Sequence, residues 1–106
     1  MNSLPVSQTS PAEPITETPV EPKDRTEILP PYVVILHNDD HNEMLHVVRA
    51  LLKSVPKLSR ARATAIMLEA HFHGQAVVTT CPLELAELYR DRLQSFGLTA
   101  TIRKAR

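Results

Sequence analysis

Residues 32–46 read YVVILHNDDHNEMLH, and the way this stretch changes period decides the fold. The first six residues, Tyr32 to His37, are apolar and β-branched, which predicts a short strand buried on at least one face. The next six are polar and rich in Asn and Asp, the composition of a turn. From Met44 onward the apolar residues return with a helical spacing: Met44, Val47, Val48, Leu51, Leu52 and Val55 recur every three or four positions. Asn42 is expected to cap this helix, Glu43 suits its positive N-terminus, and Pro56 stops it near Ser54.

Working outward, Ser59 is expected to cap a second helix. Its apolar side carries Ala63, Ile66, Met67, Ala70 and His71, and Gly74 fits the left-handed residue that ends it. Gln75 to Thr80 reads as a second strand. Pro82 fits the first turn of a third helix that runs to about Ser95 and ends at Gly97. Leu98 to Arg103 alternates apolar and polar residues, as an edge strand does. The order β-α-α-β-α-β predicts an α+β sandwich: a three-stranded antiparallel sheet with three helices on one face.

Residues 1–31 differ from the body at 32–106. They hold seven of the nine prolines, five acids and two bases, and no aromatic residue. Such a segment cannot bury enough apolar surface to offset its ordering entropy, so it is expected to be a disordered extension, either passive or a flexible arm toward a partner. The body carries seven acids and ten bases, and the chain's four aromatics form no basic stripe; nucleic acid is not an expected ligand. Cys81 is the lone cysteine, which excludes an internal disulfide and suggests a reduced, cytoplasmic setting. No apolar run approaches the roughly 18 residues of a membrane span, and no secretory signal is expected.

Residues 37–46 concentrate three histidines, two asparagines and three carboxylates around Met44. A zinc site would need two histidines one helical turn apart, and His37, Asp39, His41 and His46 do not supply that spacing. His71 and His73, two apart on a helix, point away from each other. A catalytic reading lacks a nucleophile motif, a phosphate loop and an oxyanion hole. No metal, cofactor or enzymatic role is assigned. The third option is a receptor for an ammonium group, which presents three N–H donors and needs converging acceptors, at least one anionic. Asn38 offers an amide oxygen, an Asp the charge, and a neutral His71 a ring nitrogen. Were the strand to continue past His37, alternation would place Asn38 and Asp40 on one side and Asp39 on the other, favouring Asp40. Met67, one turn before His71, adds an apolar floor. A ligand that is cationic at one end and greasy at the other, such as the bulky first residue of a peptide, fits this combination. His41, His46 and His73 read as surface residues, and His37 is assigned no role.

The NDD at 38–40 with Met44, RATAIMLEAHFHGQA at 62–76, PLELAE at 82–87 and TIRKA at 101–105 together resemble the ClpS family across the whole body. That resemblance implies an adaptor that brings proteins with destabilising N-terminal residues (Phe, Leu, Tyr or Trp) to the N-terminal domain of a ClpA- or ClpC-type AAA+ unfoldase, for degradation by ClpP. It implies that Asn38, Asp39, Asp40 and His71 bind the α-amino group. It further implies Met44 as a gatekeeper, a specificity pocket of Val47, Ala50, Met67, Leu68 and Ala70, and an unfoldase contact at Glu84 and Glu87. Many members have Tyr-Thr-Pro where this chain has His41, Asn42 and Glu43. Ala50 and Ala70 stand where larger aliphatics are common, which implies a roomier pocket. Tyr89 replaces a usual lysine of the unfoldase-facing helix. The alternative is a module that docks on the unfoldase without reading N-termini.

Overall fold

The computed structural model describes residues 29–106, so most of the expected disordered extension lies outside the described residues. Strand β1 spans Tyr32–His37, helix α1 Met44–Ser54, helix α2 Arg60–His73, strand β2 Gln75–Cys81, helix α3 Leu83–Ser95 and strand β3 Thr99–Lys104. The first strand is the centre of the sheet, antiparallel to β2 on one side and β3 on the other. Leu36 lies opposite both Ala76 and Ala100, which fixes the register at the end of the sheet nearest the polar loop.

The inward residues Val34, Leu36, Ala76, Val78 and Ala100 meet Val48, Leu51, Ala63, Ile66, Ala86 and Leu93 from the three helices in one core. This is the expected α+β sandwich with its helices on one face. One feature of the sheet is not visible in the apolar pattern. Val34 pairs with Thr79 and Ile35 with Val77, so Val78 is an extra residue, a β-bulge. The bulge shifts the phase of β2: Ala76 before it, Val78 at it and Cys81 after it are the buried residues, so the even-numbered alternation gives way to an odd-numbered one.

The local punctuation explains the bounds. Ser59 Oγ accepts a hydrogen bond from the Arg62 N–H at 3.0 Å and caps α2. Gly74 closes the same helix at φ 91° and Gly97 follows α3 at φ 86°, both in the left-handed region that favours glycine. Two capping expectations are corrected. Pro82 stands at the N-cap of α3, one position earlier than expected. At α1 the N-cap residue is Glu43, without a side-chain cap, because the Asn42 amide is engaged elsewhere. Among the described residues, no helix is long and apolar enough to cross a membrane.

Candidate functional site

The site forms where β1 runs out. The ladder stops at His37, and the next backbone N–H, that of Asn38, donates to the Gly74 carbonyl at 2.9 Å. Gly74 ends α2, so this bond seats the polar loop beside the last turn of that helix, which carries His71. The structure thereby brings together residues 33 positions apart in sequence, from Asn38 to His71.

Asn38, Asp39 and His71 line one pocket together with Met44, Val47, Met67 and Ala70. Polar groups from the loop and the end of α2 thus share a wall with apolar side chains from α1 and α2. The pocket is narrow, ≈ 40 Å³. An apolar cavity that takes up benzene measures about 150 Å³, so an aromatic ring enters only if the walls move. Met44, 43% exposed, and Met67 are the adaptable walls: a thioether chain with three rotatable bonds re-packs at low cost. Outside lies an open shelf lined by Asp39, Asp40, His41, Glu43, Met44 and His71, with no Lys or Arg among its residues. A cation approaching the pocket therefore meets a negative mouth.

The strand-alternation argument for Asp40 does not hold, because β1 ends before it. Asp40 lies on the outer shelf, and Asp39 lines both the shelf and the inner pocket. The side chains differ in engagement. Asp39 Oδ1 accepts from the His41 N–H at 2.8 Å and Oδ2 from Asn42 Nδ2 at 3.1 Å. Among the described residues, the side chains of Asn38, Asp40 and His71 make no hydrogen bond. His71 touches Phe72 edge-on, with ring centroids 5.0 Å apart. Asp39 is thus the carboxylate engaged within the loop, and the other three side chains have no hydrogen-bond partner among the described residues.

Several expected positions fall elsewhere. Ala50 is buried in the core and Leu68 is exposed; neither lines the pocket. The expected Met44, Val47, Met67 and Ala70 do line it. Leu36, His37, Asn42 and Leu98 are lining residues not expected from the sequence. Of these, only Leu36 had a signal in the sequence, since the alternation of β1 puts it on the same inward side as Val34. His46 is not a free surface residue: its Nε2 donates to the Phe96 carbonyl at 2.8 Å. Tyr89 packs in the core and is not part of the exposed face of α3. Glu84 and Glu87 are exposed on that helix, beside the partly exposed Leu83, Leu85 and Leu88. Among the described residues, no three His, Cys, Asp or Glu side chains converge to hold a metal ion.

Comparison with known proteins gives a consistent family. The family model described as "ATP-dependent Clp protease adaptor protein ClpS" matches residues 27–101. The chain is 46% identical over 88 residues to the ATP-dependent Clp protease adapter protein ClpS of Synechococcus elongatus, covering 81% of this chain and 93% of that one. It is 45% identical over 86 residues to the corresponding protein of Gloeobacter violaceus, covering 81% and 92%. Among solved structures it is similar to Agrobacterium tumefaciens ClpS2 bound to L-phenylalaninamide, with a TM-score of 0.67 and 27% identity, covering 71% of this chain and 96% of that one.

Proposed function

This chain belongs to the ClpS family of adaptors of the ATP-dependent Clp protease, and we propose that it reads the N-terminal residue of the proteins it delivers. The pocket accepts a bulky hydrophobic first side chain (Phe, Leu, Tyr or Trp) while the loop holds the free α-amino group. Asn38 and His71 supply neutral acceptors and Asp40 the free negative charge, with Asp39 adding to the field. The partner is the N-terminal domain of a ClpA- or ClpC-type unfoldase, met by Glu84 and Glu87 with the partly exposed Leu85 and Leu88 beside them on α3. The setting is the cytoplasm, where the lone thiol of Cys81 stays reduced. The role is that of an adaptor, without chemistry of its own.

The observation that carries this reading is the junction of two unlike surfaces in one pocket: polar side chains without partners in the described chain, and an apolar wall of Met44, Val47, Met67 and Ala70. The related ClpS2 was solved with L-phenylalaninamide, a compound with a free amine and a benzyl side chain. The energetics require both halves. Each charge-assisted hydrogen bond contributes about 1.5–3 kcal/mol. Burying a Phe- or Leu-sized side chain contributes about 1.5–3 kcal/mol. Association costs about 4 kcal/mol or more, and micromolar affinity needs a net of about 8 kcal/mol. Three bonds at the strong end of their range together with a fully buried side chain just reach that level against the association cost; two bonds fall short, and neither half suffices alone.

The test is fluorescence anisotropy with a peptide that begins with Phe, and the same peptide acetylated at its N-terminus. Acetylation removes the charge and a donor while leaving the side chain intact. The free peptide is expected to bind with about micromolar affinity and the acetylated one not measurably. Equal binding of the two would sink the amine-receptor reading. Absence of binding by either, with unfoldase association retained, would support the docking module that ignores N-termini.

A further inference from the structure

Between His37 and Met44 the chain has neither ladder nor helix to hold it, yet Asn38 and Asp40, two of the groups proposed above for the substrate amine, sit there. The Asn38 N–H bond to Gly74 secures the first end of this loop. Its second end is secured by a bridge of side chains. The carboxylate of Asp39 accepts from the His41 N–H on one oxygen and from Asn42 Nδ2 on the other. The same Asn42 nitrogen donates to the carbonyl of Gly97 at 3.0 Å. Both partners of that nitrogen are pure acceptors, which determines how the amide faces and uses both of its hydrogens. Gly97 lies in the turn between α3 and β3, 55 positions away in sequence, and the next residue, Leu98, lines the pocket.

We propose that Asp39 and Asn42 act as one positioning unit: the bridge Asp39–Asn42–Gly97 holds the polar loop so that Asn38 and Asp40 face the substrate amine, and Asp39 itself serves the loop more than the ligand. This deepens, and rests on, the amine-receptor reading given above. The division of labour follows from the engagement of the two adjacent carboxylates. Asp39 has a donor on each oxygen from its own loop, and Asp40 has none among the described residues. A loop residue without such a clamp would have to be ordered by each incoming ligand, and that ordering entropy would be subtracted from the affinity. Asn42 and Asp39 are positioning residues in this scheme; neither needs to touch the substrate.

A double-mutant cycle on the full chain separates this scheme from direct contact. The readout is the affinity for a Phe-first peptide, with circular dichroism and a thermal melt as controls for folding. Asp39→Ala and Asn42→Ala each remove two bonds that hold the loop and none to the ligand, and each is expected to weaken binding by about five- to tenfold through the lost ordering of the loop. Because the two residues form one device, the double variant is expected to bind within about twofold of the weaker single variant. His46→Ala cuts a different tie to the same turn, the bond to Phe96, and is expected to leave affinity unchanged within about twofold. If Asn42→Ala fails to fold, Asn42→Asp keeps the shape and replaces the donor by an acceptor. It should weaken binding even though it adds negative charge near the amine. Losses that multiply in the double variant would overturn the proposal. So would an Asp39→Ala loss far exceeding that of Asn42→Ala, a His46→Ala loss matching that of Asn42→Ala, or a gain from Asn42→Asp. A wild-type chain that does not bind the peptide at all would remove the amine receptor, and this inference with it, before any variant is compared.

Discussion

Ala70 is the position at which the shape of the pocket can be tested with the least disturbance of its charge. It is 3% exposed, lines the pocket, and precedes His71 on the last turn of α2. Ala70→Val adds two methyl carbons to a wall that bounds only ≈ 40 Å³. An incoming aromatic ring is then kept out by a depth of about two carbons. At about 0.8 kcal/mol for each buried carbon, the loss is about 1.6 kcal/mol, or about 15-fold in affinity. A first-residue Leu reaches less deeply and is expected to lose less than about threefold under the same per-carbon burial cost. Valine lowers helix propensity by under about 0.7 kcal/mol, and overpacking costs about 1–3 kcal/mol, so the fold should survive with a lowered melting temperature. The assay is a panel of anisotropy titrations with peptides that differ only in the first residue, run on both proteins. Equal losses for Phe-first and Leu-first peptides would show that the substitution acts through the loop and not through pocket depth. No loss for the Phe-first peptide would refute Ala70 as a wall.

Other consequences of the structure are independent of that one. Glu84→Arg with Glu87→Arg is expected to slow unfoldase-dependent degradation of a Phe-first substrate while leaving peptide affinity unchanged, measured by degradation kinetics beside anisotropy; unaltered kinetics would move the docking face elsewhere. Ser54 is fully buried, and its hydroxyl has no partner among the described residues. Ser54→Ala removes an unpaired polar group and should stabilise by up to about 1 kcal/mol in urea melts, a clear loss arguing for a hidden partner. Burial pushes the Cys81 thiol above its ordinary value, offset in part by the Lys57 cation. The native state therefore keeps the thiol proton when the unfolded chain, at about pH 8.5 or above, releases it. Stability contributed by Cys81 is present below that range and falls as pH rises through it; Cys81→Ala should flatten this alkaline slope, and an unchanged slope would assign it to other groups. Alkylation of the same thiol near neutral pH should be slow until the protein is unfolded.

What the sequence determined by itself is the kind and extent of each element. Strand and helix periods, the Ser59 cap, the glycines at 74 and 97 and the proline before α3 act within a few residues, and local physics suffices to read them. The candidate polar residues Asn38, Asp40 and His71 stood out in the sequence for a related reason: their chemistry is unusual for where they fall along the period. Tertiary structure alone decided the rest. A helix period states which face is apolar, but not which part of that face meets the core and which part is left open, so Ala50 went to the core and Ala70 to the pocket. The bulge at Val78 depends on pairing with β1 and leaves no trace in β2's own residues. Asn42 and His46 found acceptors 55 and 50 positions away, across a turn whose approach no local pattern encodes. A hydrogen bond is directional and short, so its partner is known only when the chain has brought two distant segments within about 3 Å of each other.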